Sequence, residues 1–110
     1  MKRGEIWWVN FDPARGSEIK KIRPAIIVSN NDSNLFLDRF QVVPITSNAS
    51  RLFPSEAYVT VNGDLGKAMA DQLTTVSKKR FSKCIGKISA EDMEAVDRAI
   101  QIQLAIFKFT

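Results

Sequence analysis

Residues 24–28, Pro24-Ala25-Ile26-Ile27-Val28, are the stretch that most limits what this chain can become. Four consecutive apolar residues, three of them β-branched, follow a proline and lead into Ser29-Asn30. A run this short, β-branched and bounded by turn residues reads as a buried strand, not as a helix. Pro24 is read at the first strand position, where a missing N–H leaves the ladder intact. It also biases Arg23 towards an extended backbone. Arg23 is therefore expected at the mouth of a rigid strand, pointing out of it. Val42-Val43-Pro44-Ile45 repeats the construction and ends in Thr46-Ser47-Asn48, two hydroxyls and an amide. If the two strands lie side by side, Arg23 and Thr46 converge at one edge of the fold.

The rest of the chain surrounds these two strands with more of the same. Residues 5–11 read as a first strand, with Trp7 and Trp8 on opposite faces because side chains alternate. One tryptophan is then core, and the other lies at a second interface or over a ligand. Asp12-Pro13 opens a cationic loop that carries Arg15, Gly16, Ser17, Glu18, Lys20 and Lys21, a candidate flap over whatever Arg23 faces. Residues 30–34 form a polar turn cluster, read as capping a short helical turn at 35–37. Residues 57–61 alternate like a half-buried strand before the turn signal Asn62-Gly63-Asp64. Short strands or bends follow at 67–71 and 74–76, and a further strand at 83–88.

Ser89 then reads as a helix N-cap, with Asp92 the acid three residues on. Met93, Val96, Ile100, Leu104 and Phe107 recur at three- and four-residue steps, the stripe of an amphipathic helix lying across an antiparallel barrel or sheet. Ile102, Ile106 and Phe109 fall off that stripe. A lone helix cannot bury both faces in a small protein, so these residues predict a second contact surface and a homodimer.

Composition narrows the chemistry. A length of 110 residues fits a single domain over residues 1–110. No apolar run approaches the roughly 20 residues of a membrane span, and the first residues lead straight into a strand without a signal-like segment. The expected setting is the cytoplasm, with no membrane partner. One cysteine, Cys84, excludes an internal disulfide and is expected to be a small buried apolar residue. There is no histidine. The commonest general base and metal ligand is therefore missing, and a zinc site would need cysteines the chain lacks. No metal and no cofactor are expected. The net charge of +4 suits an anionic partner.

Positive charge gathers in two blocks. Lys78, Lys79, Arg80, Lys83 and Lys87 have no acid among them, and Arg15, Lys20, Lys21 and Arg23 lie near the first loop. Two such blocks beside one groove would track a phosphate backbone, with Lys79 and Arg80 binding substrate. Arg23 offers a planar, permanently charged fork to phosphate oxygens. Thr46 can donate to a third oxygen or orient a nucleophile, and Ser47 and Asn48 add fixed donors beside it. RNA brings its own nucleophile, the 2′-hydroxyl, so no metal-bound water is required. Glu18 or Asp71 could accept the proton.

Taken in order, several short motifs point further. They are Lys2-Arg3-Gly4-Glu5-Ile6-Trp7, Gly16-Ser17-Glu18, Arg23-Pro24 with Ser29-Asn30, Pro44-Ile45-Thr46-Ser47-Asn48, Asp71-Gln72 with Thr75-Val76, and the acidic start of the last helix. From about residue 2 to residue 104 the set resembles the MazF/PemK family of toxin endoribonucleases. That resemblance implies an SH3-like antiparallel β-barrel with a long C-terminal helix, mainly β with α, working as a homodimer. It implies metal-independent, sequence-specific cleavage of single-stranded messenger RNA, leaving a 2′,3′-cyclic phosphate and a 5′-hydroxyl and arresting growth. The family's catalytic pair falls on Arg23 and Thr46, its loop residues on Gly16, Ser17 and Glu18, and a further binding pair on Asp71 and Gln72. It also implies a cognate antitoxin of the MazE/PemI kind, whose flexible acidic segment fills the RNA groove and which binds DNA together with the toxin. Relatives of the PemK type use a first-loop histidine and an arginine two residues before the aspartate. Here those places hold Ser17 and Met69, which favours the Arg23/Thr46 scheme. Two alternatives remain. One is a gyrase poison of the CcdB kind, which shares the fold and cuts nothing. The other is a catalytically silent RNA-binding module.

Overall fold

The computed structural model describes residues 1–106. Among the described residues, seven strands and two α-helices follow one another. They are β1 (Glu5–Asn10), β2 (Ile22–Ile27), α1 (Asn31–Phe36), β3 (Arg39–Thr46), β4 (Glu56–Val61), β5 (Asp64–Met69), β6 (Thr74–Ser77), β7 (Phe81–Lys87) and α2 (Ala90–Leu104). All pairings are antiparallel, in the order β4-β5-β3-β2-β1-β7, with β6 added on β3. Register shifts between β1 and β7 interrupt the ladder beside Trp7 and Val9. Such bulges raise the local twist. The result is a curled antiparallel half-barrel with one long helix at the C-terminal end.

β3 is the hub. Its first half pairs with β6, its middle with β2, and its last two residues with β5. Because β2 and β3 are covered on both faces, alternate residues enter two separate cores. Ile26, Val43 and Ile45 join Ile6, Val59 and Val96 under α2. Ala25, Ile27 and Val42 join Val9, Phe11 and Phe40 on the other side. This is why the two strands read as unbroken apolar runs and not as alternating ones.

The hairpin between β4 and β5 turns on Asn62 and Gly63 alone, at φ +51° and +87°. Two positive φ angles make the mirror-image turn whose twist matches the strands, and Asn-Gly is the pair that tolerates it. Ser89 caps α2 through the Asp92 N–H at 3.0 Å. The Asp92 carboxylate does not return the bond to the cap. It accepts instead from the backbone N–H of Thr60 and ties the helix to β4.

Several expectations are corrected. β2 begins at Ile22, so Pro24 is its third residue; it is tolerated because residues 22–24 pair with β1 only, and pairing with β3 starts at Ala25. The polar cluster after Asn30 does not cap a helix further on; it is helix α1 itself, capped by the Asn30 side chain. Leu35, Phe36 and Leu37 are left exposed. Cys84 is exposed, because it lies on β7, a strand that pairs only with β1. Trp7 is half-buried against the second core, and Trp8 faces outward. On α2, Val96 and Ala99 are buried, whereas Leu104 is 50% exposed. Ile102 and Ile106 are exposed as expected for an uncovered face. Phe107 and Phe109 lie outside the described residues. No described helix is long and apolar enough to cross a membrane.

Candidate active site

The two strands singled out in the sequence are neighbours, with Ala25 opposite Pro44, Ile26 opposite Val43 and Ile27 opposite Val42. Carried two residues further, that register would set Arg23 opposite Thr46. The pairing stops before it gets there. β3 swings away to pair Ile45 with Ala68 and Thr46 with Lys67 on β5, while Arg23 stays paired with Val9 on β1. The sheet forks at this point, and Arg23 and Thr46 stand on the two prongs. By the pleat, both belong to the face of Ala25 and Pro44. Each is half-buried.

The local bonds leave both groups able to act. Arg23 Nε donates to the carbonyl of Lys20 at 3.1 Å, which fixes the side chain. Its terminal amino groups make no hydrogen bond among the described residues. Thr46 Oγ1 accepts from the Asn48 N–H at 3.2 Å, so its own proton stays available. Asn48 Oδ1 in turn accepts from the Ser50 N–H. A cavity of about 240 Å³ is lined by Trp8, Pro24, Thr46, Ser47 and Gly66 among others, and Arg23 is not among its lining residues.

A second cavity, of about 410 Å³, gathers Glu18, Asp71, Gln72 and Arg80 beside Phe11 and Thr75. The two candidate bases, Glu18 and Asp71, thus share one cavity, and neither lines the cavity of Thr46. Several predicted binding residues also anchor the first loop. Gln72 Oε1 accepts from Ile19 N–H at 3.2 Å, and its amide donates to the Ser17 carbonyl at 3.4 Å. Arg80 donates to the carbonyls of Asn10 and Asp12, where the loop leaves β1. Glu18 Oε1 accepts from Arg15 N–H at 2.7 Å. Gly16, at φ +59°, takes the left-handed conformation that the loop requires.

The five later cations do not form one patch. Lys78, Lys79 and Arg80 share one turn of 3₁₀ helix, with Arg80 at the second cavity, whereas Lys83 and Lys87 are spaced along exposed β7. Among the described residues no group of three possible metal ligands occurs. One carboxyl is perturbed. Burial pushes Glu5 up, but hydrogen bonds from Trp7 and Lys2 and the nearby N-terminal and Lys2 charges outweigh it, so the group lies below the usual glutamate range.

Two residues of this site escaped the sequence reading. Lys67, opposite Thr46, is buried and ion-paired with Glu56 at 3.1 Å. Gly66 lies so near β3 that a Cβ there would sit 2.9 Å from the Thr46 carbonyl oxygen. An isolated glycine inside a strand is the available signal for such a close approach.

Comparison with known proteins gives the family and the fold. Residues 2–104 match the family described as PemK-like, MazF-like toxin of type II toxin-antitoxin system. The chain is 38% identical over 117 aligned residues to Endoribonuclease MazF9 of Mycobacterium tuberculosis, covering 97% of this chain and 98% of that one. Its fold matches the crystal structure of MazF from Deinococcus radiodurans with a TM-score of 0.86 at 25% identity, over 96% and 97% of the two chains. It matches an endoribonuclease in complex with its cognate antitoxin from a mycobacterial species with a TM-score of 0.83 at 20% identity, over 99% of each. The chain therefore belongs to the PemK-like, MazF-like toxins of type II toxin–antitoxin systems.

Proposed function

We propose that this MazF-like endoribonuclease cleaves single-stranded RNA at the fork between β2 and β3, without a metal. In the step, the 2′-hydroxyl oxygen bonds to the adjacent phosphorus while the P–O5′ bond breaks. The products are a 2′,3′-cyclic phosphate and a 5′-hydroxyl. The hydroxyl proton passes to Glu18 or Asp71 of the second cavity or to water, and the departing O5′ takes up a proton from water. Arg23 neutralises the charge that gathers on the phosphate oxygens. Thr46 donates to the same phosphate, and Ser47 and Asn48 face the neighbouring nucleotides. Lys79 and Arg80 attract the backbone on either side, with Gly16, Ser17, Glu18, Asp71 and Gln72 bounding its path.

The observation that carries this reading is the register. β2 and β3 pair as far as Ala25 and Pro44, and Arg23 and Thr46 each lie two residues beyond that last pair, where the strands part. Incubation of the purified protein with RNA in EDTA tests it. Discrete fragments with 5′-hydroxyl ends are expected. Intact RNA, or fragments with 5′-phosphates, would overturn it.

An acidic, flexible segment of a cognate antitoxin is the protein partner that the same cationic surface suits. The net charge of +4 and the loop cations support it, as does the likeness to a mycobacterial endoribonuclease solved with its antitoxin. Exposed Ile102 and Leu104 on α2, with exposed Ile106 just beyond its C-cap, support a homodimer. A monomer mass in solution scattering at micromolar concentration would count against it.

A further inference from the structure

Lys67 stands inside β5 at 6% exposure, where an ammonium is costly unless it is fully partnered. Its partners lie in the loop before β4 and at the first residue of β4. Nζ lies 3.1 Å from Glu56 Oε1 and donates to the carbonyl of Arg51 at 2.8 Å. The same Glu56 oxygen accepts from the Phe53 N–H at 2.9 Å. Lys67 is also opposite two residues at once, Thr46 on β3 and Tyr58 on β4. Cross-strand neighbours share a face, so Thr46, Lys67 and Tyr58 form one row across three strands. The Tyr58 hydroxyl donates to the carbonyl of Ser50 at 2.7 Å. Consecutive carbonyls of the loop at 47–55 are thus gripped by two members of the row that starts with Thr46. At the near end of the loop, Asn48 joins Thr46 Oγ1 to the Ser50 N–H. Beyond it, the Arg51 guanidinium lies 5.3 Å above the exposed Phe53 ring.

We propose that Lys67, Glu56 and Tyr58 are positioning residues that hold the 47–55 loop in one arrangement relative to Thr46. They act through the loop and do not touch RNA. Ser47, Asn48, Arg51 and the Phe53 face are thereby presented to the unpaired bases beside the cut, and the clamp sets which sequence is cut and how fast. Unpaired bases are read by stacking on aromatic or guanidinium planes and by hydrogen bonds to their edges, both of which this loop offers. Donors held in place need no reorganisation as charge develops. A buried ion pair is weak evidence for stability, so fixing the geometry of a loop is the better use of one here. The proposal rests on Thr46 belonging to the cleavage site.

The test compares wild type, Tyr58→Phe and Lys67→Met on a random-sequence RNA pool, with 5′ ends sequenced, and kcat and KM measured on one good substrate. Tyr58→Phe removes one partly exposed hydroxyl and should keep the fold, with a melting point within about 5 °C of wild type. It is expected to lower kcat about tenfold with little change in KM, and to spread cuts onto sites that wild type ignores. Lys67→Met is expected to lose about a hundredfold. A merely structural role would lower the melting point and leave the cut-site ranking unchanged. Tyr58→Phe cutting the same sites at wild-type kcat would overturn the clamp, whether or not Lys67→Met folds. A pool left intact by wild type would defeat the reading of Thr46 itself, before any variant is compared.

Discussion

Gly66→Ala probes how tightly the fork is built. The added Cβ would lie 2.9 Å from both the Thr46 carbonyl oxygen and Ile45 Cγ2. That is about 0.6 Å inside the roughly 3.5 Å of an unstrained carbon contact. The carbonyl belongs to a paired strand and cannot rotate away, so β5 and the end of β3 must separate. Overpacking of this kind costs about 1–3 kcal/mol. Removing a glycine from the unfolded chain returns about 0.4–1 kcal/mol. A net loss of about 1–2 kcal/mol corresponds to a fall in Tm of roughly 5–10 °C for a chain of this size. Thr46 moves with its backbone, and a shift of about half an ångström should lower kcat about tenfold. Thermal melts and single-turnover cleavage of one RNA measure both. Gly63→Ala is the control: it is strained at φ +87° but meets nothing within 4 Å, so it should lower Tm and leave kcat alone. Gly66→Ala with wild-type Tm and kcat would refute the steric reasoning.

Three further outcomes are expected. Ser89→Ala removes the bond to the Asp92 N–H and should cost about 1 kcal/mol in denaturant melts, with m unchanged. Glu5 is held below its ordinary pKa, so its contribution to stability is present above the usual glutamate range and disappears as pH falls through the lower folded-state value. The stability gap between wild type and Glu5→Gln should therefore close in acid; a gap that widens there would reverse the sign. Lys79→Ala should weaken RNA binding and reduce the slope of log Kd against log salt by about 1.

How much of this was legible in the sequence depended on whether a local pattern or a distant neighbour decided each feature. The apolar runs at 25–28 and 42–45 announced buried strands because both faces of β2 and β3 are covered. Ser89 and Asn62-Gly63 announced a cap and a turn because their requirements are local. Arg23 and Thr46 are expected to converge because one precedes and the other follows an apolar run; β2 and β3 do lie side by side, but their pairing stops two residues short of that couple. Cys84 was misjudged because its exposure follows from the edge position of β7, which no local pattern reveals. Leu104 fits the helical stripe but is the last residue of α2 and stays half exposed, which the stripe alone does not reveal. Lys67 looked like one more surface lysine; only the fold brings Glu56 and the Arg51 carbonyl to it. Arg80 reads as a substrate ligand from its charge and Gln72 from the resemblance; that both also hold the first loop by hydrogen bonds is a long-range feature no local pattern reveals.

The most direct test of the central proposal is single-turnover RNA cleavage by Arg23→Ala, with folding checked by its melt. Loss of one preorganised donor at a developing charge costs about 10²–10³ in rate. The expected result is a folded protein whose rate falls by that factor. A folded Arg23→Ala that cleaves at the wild-type rate would contradict the assignment of the fork as the place where RNA is cut.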